Sequence, residues 1–327
     1  MNIDFNRRLS IAPMLDCTDR HERYFLRLLS KHILLYSEMV TTNALLHTDP
    51  DQFLRHQEFE YPAVLQLGGS NPADLAKCSK MVEESGFQEV NLNCGCPSDR
   101  VQNGNFGACL MKDKNLVADC FKAMQDAVSI PVSIKCRIGV DEFDSWDFFR
   151  DFVGTIADAG CRVFIIHARK AWLKGLSPKE NREVPPLHYD FVHRLKAEMP
   201  QLNISINGGI KTLDQTLELL QDLDGVMVGR EAYENPWFLR DADERIFNDA
   251  SAAKPESRKA LLEAYLPYVE MEAARGTPAT ILVRHLYGLF NGKPGARKFR
   301  QHLGENAPKT KSPAEMIRRA MDLVTEP

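Results

Sequence analysis

The 327-residue chain has no apolar run near the ~18 residues of a membrane-spanning helix, so a helical membrane protein is excluded. Its start, MNIDFNRRLSIAPML, lacks the basic stretch, apolar core and small-residue cleavage site of a secretory signal, and a cytoplasmic protein is expected. The eight cysteines also lack the spacing of a structural zinc site. Cys94 and Cys96 are one residue apart, and no second Cys/His pair with ligand spacing follows, so no metal is expected. Scattered thiols in a chain of this size, without secretion, are expected to stay reduced. Finally, the first apolar run ends in APMLD, not in the Gly-x-Gly-x-x-Gly turn of a dinucleotide-binding doubly wound sheet, which leaves that fold as the runner-up.

What is present is an ordinary soluble composition, 44% hydrophobic and 26% charged with a net charge of −4. Eight short β-rich runs recur: LSIAPM from Leu9, LLYSEMV from Leu34, AVLQLG from Ala63, EVNLNC from Glu89, VSIKCRI from Val132, VFIIHA from Val163, NISING from Asn203 and GVMVGR from Gly225. Most are separated by stretches of helical periodicity such as PADLAKCSKMVEESG, DFFRDFVGTIADAG and TLDQTLELLQDLDG, the last with Thr212 as its cap. Apolar strands alternating with helices indicate a parallel sheet covered on both faces. Eight such units predict an α/β fold, a (β/α)₈ TIM barrel, over residues 1–244, followed by a small C-terminal α-helical domain over 245–327.

In such a barrel the site forms at the carboxyl ends of the strands. There the sequence places Met14, Glu38 with Thr41 and Asn43, Gln66, Asn93 with Cys96, Lys135 with Arg137, His167 with Arg169, Asn207 with Gly208 and Gly209, and Gly229 with Arg230. One such residue would normally be a structural hydrogen-bonding group; seven polar strand ends that a core would not accept indicate a site. INGGIKT and VGREAY bring glycine-rich backbone and an arginine to the loops after strands seven and eight, the usual phosphate position of this fold. With Gln66, Lys135 and His167 available to face the polar edge of a ring, flavin mononucleotide fits. Of the thiols, Cys78, Cys109, Cys120, Cys136 and Cys161 read as small buried hydrophobes. Cys96, flanked by Gly95 and Pro97, reads as part of a turn.

These residues carry a resemblance. APMLDCTDRHERYFLRLLS, PAVLQLGGS, EVNLNCGCPSDRVQNGNFGACLM, VSIKCRIGVD, IIHARKAWLKGLSPKENREVPPL, SINGGIKT, VMVGREAYENPW and RHLYGLFNGKPGARKFRQHL together resemble the dihydrouridine synthases, and most closely their DusA subfamily, over nearly the whole chain. The resemblance implies reduction of uridine in transfer RNA to 5,6-dihydrouridine at D-loop positions 20 and 20a. Hydride would pass from reduced FMN to C6 and a proton from Cys96 to C5, with NADPH as reductant and NADH possible. It implies FMN contacts at Pro13, Met14, Leu15, Gln66, Lys135, His167, Asn207, Gly208, Gly209, Gly229 and Arg230, and a uracil-orienting role for Asn93. The chain departs from the family pattern at Cys17 and Cys94, which keeps Cys94 as an alternative acid. A thiol, with an ordinary pKa of roughly 8.5, is mostly protonated near neutrality and suits the acid's role.

Charge points independently to the partner. From Arg245 to Pro327 there are 14 Lys and Arg against 9 Asp and Glu, and between Arg284 and Arg319 the ratio is 9 to 2, which suits a surface tracking phosphates. Within it Arg297 and Lys298 are expected to grip tRNA, while Lys179 and Arg182, after strand six, are expected to position it. The amphipathic RKALLEAYLPYVEMEAAR and AEMIRRAMDLV should pack as a helical bundle, and a monomer is the default. Three alternatives stay open: a flavin barrel enzyme acting on a free pyrimidine-type metabolite, a Schiff-base aldolase using Lys135, and a noncatalytic RNA-binding module.

Overall fold

The structure is a computed structural model that describes residues 5–98 and 104–326; part of the NCGCPSDRVQNGNFGACLM stretch, 99–103, lies outside them. Eight parallel strands close into a barrel in chain order. They are β1 (Leu9–Ile11), β2 (Leu34–Thr41), β3 (Ala63–Gly68), β4 (Glu89–Cys94), β5 (Val132–Arg137), β6 (Val163–His167), β7 (Asn203–Asn207) and β8 (Gly225–Val228). All eight begin within the runs expected from the sequence. Closure comes from β1 pairing with β8, Leu9 opposite Val226 and Ile11 opposite Val228.

The intervening helices are started by their own caps. Asn71 Oδ1 accepts from the Ala73 and Asp74 N–H groups at the head of Pro72–Glu84, whose first residue is the proline that a helix start tolerates best. Ser145 caps Trp146–Asp158 in the same way, and Thr212 caps Leu213–Leu219, as its sequence suggested. Each cap is worth ~1 kcal/mol.

Side chains alternate between the two faces of each strand. On β4, Val90, Leu92 and Cys94 are fully buried apolar residues, whereas Glu89, Asn91 and Asn93 make hydrogen bonds to residues of neighbouring strands across the barrel's inner face. The apolar part of that interior is a cluster of Ala12, Leu34, Tyr36, Val64, Ile165 and Met227. The remainder is polar, and it leads up to the strand ends.

Compactness divides the chain differently from a cut at 244/245. One unit joins Met1–Asp16 to Leu34–Gly229, and the other joins Cys17–Ile33 to Arg230–Pro327. The reason lies within the second unit, where the helix Arg20–Arg27 packs against the helix Arg258–Ala274. Tyr24 stacks on Tyr268 with ring centroids 3.9 Å apart, Phe25 meets Tyr265 edge-on, and Arg20 pairs with Glu272 at 2.6 Å. Asp19 caps Arg20–Arg27 through the His21 and Glu22 N–H groups, and its carboxylate also binds Arg284 and His285. Burial would raise the Asp19 carboxyl, but the hydrogen bond and charge of His285 outweigh it and hold the group ionised. The helices Ala296–Asn306 and Pro313–Met321 complete this unit.

Candidate active site

The residue that sequence reasoning placed at the centre, Cys96, is partly exposed, two residues beyond the end of β4. Its N–H and that of Gly95 both donate to Asn93 Oδ1 at 3.0 Å, so the last inward-facing side chain of the strand shapes the turn that carries the thiol. Cys96 Sγ lies 3.5 Å from Ser98 Oγ. Cys94 is different. It is fully buried, and burial pushes its thiol well above the ordinary range, as it pushes neighbouring Cys136 up to about 12. Of the two thiols, only Cys96 is accessible at the strand ends, whereas Cys94 is buried within the fold.

Gln66 is anchored at both ends: its Nε2 donates to Asn91 Oδ1 and its Oε1 accepts from Asn93 Nδ2, each at 2.7 Å. An amide has two N–H groups and two lone pairs, so one of each remains for a ligand. On β5, Lys135 Nζ donates to Asn207 Oδ1 at 3.2 Å. The Asn207 amide is fixed by its own donation to the Met227 carbonyl at 2.8 Å, which turns its oxygen toward the lysine. Burial, reinforced by the positive charge of Arg137, lowers the Lys135 ammonium to about 8. Burial likewise, with Arg137 and Lys135 nearby, holds His167 well below its ordinary value, so its ring is neutral. His167 Nδ1 is buried and has no hydrogen-bond partner among the described residues. A buried ring nitrogen left without a partner is costly and suits a ligand that supplies one.

Beside His167 the backbone of Gly208 and Gly209 adopts φ of +119° and +74°, a conformation that side chains rarely take. A Cβ on Gly209 would meet Leu187 at 2.7 Å, and one on Gly208 would meet both Leu187 and His167 within 3.2 Å. The Gly208 carbonyl is held by Tyr189 Oη at 2.5 Å. At Gly229 the nearest atoms to such a Cβ are Ala12 and the Met14 sulfur, at 3.8 and 3.9 Å. Met14 packs partly on the core cluster, Pro13 is half-buried, and Leu15 is exposed. These glycines, the unpartnered His167 nitrogen and the depressed Lys135 fit a planar, anionic, hydrogen-bonding cofactor. Arg230, next in the chain, opens the helix Arg230–Glu234 of the second unit.

Several strand-end residues are tied to backbone groups of the fold. Thr41 Oγ1 caps the helix Thr42–His47, Glu38 accepts from the Asp16 N–H, and Arg169 donates to the Pro185 carbonyl. Arg137 had been placed at a strand end without a role. It is only 4% exposed, and it donates through Nε to the Gly95 carbonyl at 2.8 Å and through Nη1 to the Lys170 and Asn181 carbonyls at 3.0 Å. It therefore joins the Cys96 turn to the loop after β6. Asn181, fully buried, holds that loop by exchanging hydrogen bonds with the Trp172 backbone at 2.8 and 2.9 Å. Lys179 and Arg182 flank it and are exposed. In the second unit Arg297 and Lys298 are exposed on Ala296–Asn306. The inner-face residues Glu89, Asn91 and Ser133 were missed altogether. Their signal was the polar residue at every second position of EVNLNC and VSIKCRI.

Among the described residues, no group of three or more His, Cys, Asp or Glu could hold a metal ion, and no helix is long and apolar enough to cross a membrane.

Comparison with known proteins places this geometry. A family model described as dihydrouridine synthase (Dus) matches residues 10–324. The chain is 55% identical over 320 residues to a tRNA-dihydrouridine(20/20a) synthase of Yersinia pestis, covering 98% of this chain and 92% of the relative. It is 54% identical over 327 residues to the protein of the same name from Escherichia coli K12, covering 99% and 94%. A Shewanella oneidensis relative of that name is 56% identical over 321 residues, covering 98% and 95%. Among solved structures, morphinone reductase superposes with a TM-score of 0.51 at 12% identity, over 78% of this chain and 88% of its own, a likeness of fold alone.

Proposed function

The chain belongs to the dihydrouridine synthase family, and from that premise we infer that it is a flavin-dependent oxidoreductase reducing uridine in transfer RNA to 5,6-dihydrouridine. The observation that carries the reading onto this chain's own residues is the partly exposed Cys96 thiol, held in a turn by Asn93, with the depressed Lys135 and the neutral His167 on the next two strand ends of the same barrel.

We propose FMN as the flavin. It would be held by Pro13, Met14 and Leu15 after β1, by Gln66, Lys135, His167 and Asn207 toward its ring, and by Gly208, Gly209, Gly229 and Arg230 toward its phosphate. When bound and reduced, FMN supplies hydride for C6 of the uracil. Lys135 Nζ, with Asn207 fixing its direction, and the vacant hydrogen-bonding position of His167 Nδ1 favour a ligand with polar atoms along one edge. Asn93 retains a second N–H beyond the one given to Gln66 and would orient the base. Cys96 would give its proton to C5. A base must leave its stack to reach such a site, and Lys179 and Arg182 would bind the backbone beside it while Arg297 and Lys298 grip the rest of the fold. Positions 20 and 20a are proposed from the relatives' names, NADPH as reductant from the resemblance, and the cytoplasm from the substrate.

The test is incubation of the purified yellow protein with NADPH or NADH and tRNA lacking dihydrouridine, followed by nucleoside mass spectrometry of defined positions. Dihydrouridine at 20 and 20a is expected, with no reduction of free uracil or orotate. Flavin-free protein, or turnover of the free bases alone, would overturn the reading.

A further inference from the structure

The barrel interior contains an unbroken series of hydrogen bonds whose lower half, from Glu89 to Asn91, no step above uses. At its lower end Glu89, completely buried, is ion-paired with Arg7 and accepts from the Ser133 hydroxyl. The hydroxyl of buried Tyr36 also faces both Glu89 and Ser133. Asn91 Nδ2 donates to Ser133 Oγ at 2.8 Å, and Gln66 Nε2 donates to Asn91 Oδ1 at 2.7 Å. Asn93 Nδ2 donates to Gln66 Oε1 at 2.7 Å, and Asn93 Oδ1 accepts from the Gly95 and Cys96 N–H groups. The strand register makes this possible by setting Gln66 beside Asn91 and Asn91 beside Ser133.

The direction of the series is dictated by chemistry. An ionised carboxylate only accepts, so Ser133 must donate to Glu89 and can only accept from Asn91. Asn91 therefore turns its NH₂ toward Ser133 and its oxygen toward Gln66. The same alternation passes through Gln66 to Asn93, whose oxygen is left facing the turn. Backbone N–H groups only donate, so the upper end demands the orientation that the lower end imposes. Buried amides are expensive to leave mismatched.

We propose that Glu89, charged and paired with Arg7, is a positioning residue for the reacting turn: it sets the direction of every hydrogen bond up to Asn93 and thereby the placement of Gln66, Asn93 and Cys96. A glutamine at 89 has one acceptor oxygen for the donors Arg7, Ser133 and Tyr36, so Arg7 would draw that oxygen and present an NH₂ to Ser133. The series would then meet head-on. Removing Arg7 as well frees the oxygen for Ser133 and restores the direction. The effect on turnover rests on the reading of Cys96 as proton donor; the effect on the turn itself does not.

The experiment compares holoenzymes carrying Glu89→Gln, the double change Arg7→Met with Glu89→Gln, and Ser133→Ala, which interrupts the series with the ion pair intact. Reduction of the bound flavin by NADPH, a step without Cys96 and Asn93 that meets the series only through Gln66, is expected to change far less than reoxidation in all three. Reoxidation by tRNA should slow on the order of 10²-fold in Glu89→Gln and Ser133→Ala, the effect of misplacing a reacting group by about 1 Å, with KM unchanged. It should recover in the double variant. Iodoacetamide labelling of Cys96, read by peptide mass spectrometry against Cys17 and Cys109, should change in the same two variants and recover with the third. If Glu89→Gln does not fold, Ser133→Ala decides. Wild-type reoxidation and labelling in Ser133→Ala, or a double variant no better than Glu89→Gln, would overturn the proposal. A Cys96→Ala enzyme with full turnover would overturn only the acid assignment, and the labelling would still test the positioning.

Discussion

Arg137 donates through Nε to the carbonyl of Gly95 at 2.8 Å, so the turn that presents Cys96 hangs from the end of the neighbouring strand. The same guanidinium holds the Lys170 and Asn181 carbonyls, and burial lowers its pKa only to about 10, so it stays charged. One side chain thus sets two loops.

Arg137→Met should leave three carbonyls, that of Asn181 buried and those of Gly95 and Lys170 partly so, short of a donor and destabilise the protein by on the order of 2–3 kcal/mol. Arg137→Lys keeps the charge without the fork and should recover only part of that. Urea unfolding of both variants, followed by turnover at saturating tRNA, checks the ranking. Equal stability of the methionine variant and wild type would contradict it.

Cys96→Ala should keep flavin and tRNA binding while turnover falls ~10²–10⁴-fold, the usual worth of a general acid. Cys94→Ala removes a fully buried sulfur and should cost ~1 kcal/mol of stability with turnover near wild type. Exchanged phenotypes in single-turnover assays would transfer the acid's role to Cys94.

Lys135 is held at about 8 in the fold against 10.5 in the open chain. Between those values the unfolded chain binds more protons, so stability rises with pH through the window and the gain is lost again as pH falls through about 8. Lys135→Met should flatten this rise, by on the order of 1–3 kcal/mol. Unfolding midpoints of the two proteins from pH 7 to 10.5 provide the comparison, and parallel curves would show that the ammonium is not depressed.

Arg297→Ala and Lys298→Ala should weaken tRNA binding and each flatten the slope of log affinity against log salt by about one unit, without altering flavin absorbance. Lys179→Ala and Arg182→Ala should in addition lower turnover at saturating tRNA. Binding titrations across a salt series measure both. An unchanged slope for the Arg297 and Lys298 variants would mark that helix as merely solvated.

Arg20→Met should destabilise by ~1–3 kcal/mol, because it removes one charged donor from the carboxylate of Glu272, whose side chain is fully buried and which keeps Arg275 and Thr277. Burial would raise Glu272, but the bonds from Arg20, Thr277 and Arg275 bring it down to about 2, so its contribution is complete above 4.5 and is lost as pH falls toward 2. Acid unfolding should therefore show a smaller pH dependence in the variant. For the same reason a fragment ending at Glu244 would expose Tyr24 and Phe25, which pack on Tyr268 and Tyr265. It is not a clean isolated barrel.

Periodicity and the count of eight strand runs pointed to the barrel, which the pairing of β1 with β8 closes. Runs such as VFIIHA and NISING are legible as strands because inner and outer faces are both buried, and caps such as Thr212 act through neighbours three residues away. The candidate site could be nominated where a residue's type was foreign to a core: Lys135, His167, and Cys96 between glycine and proline. Tertiary structure alone decided the rest, since it depends on partners distant in the chain. Cys94 and Cys96 differ by two positions in sequence, yet one is buried within the fold and the other stands in a turn. Arg137 became a clamp only when Gly95, Lys170 and Asn181 were brought around it. The segment Cys17–Ile33 joined the second unit because Glu272 and Tyr268, some 250 residues on, receive Arg20 and Tyr24. Direction in the interior hydrogen bonds is of the same kind: it follows from a carboxylate at one end and backbone N–H groups at the other, which only the strand register connects.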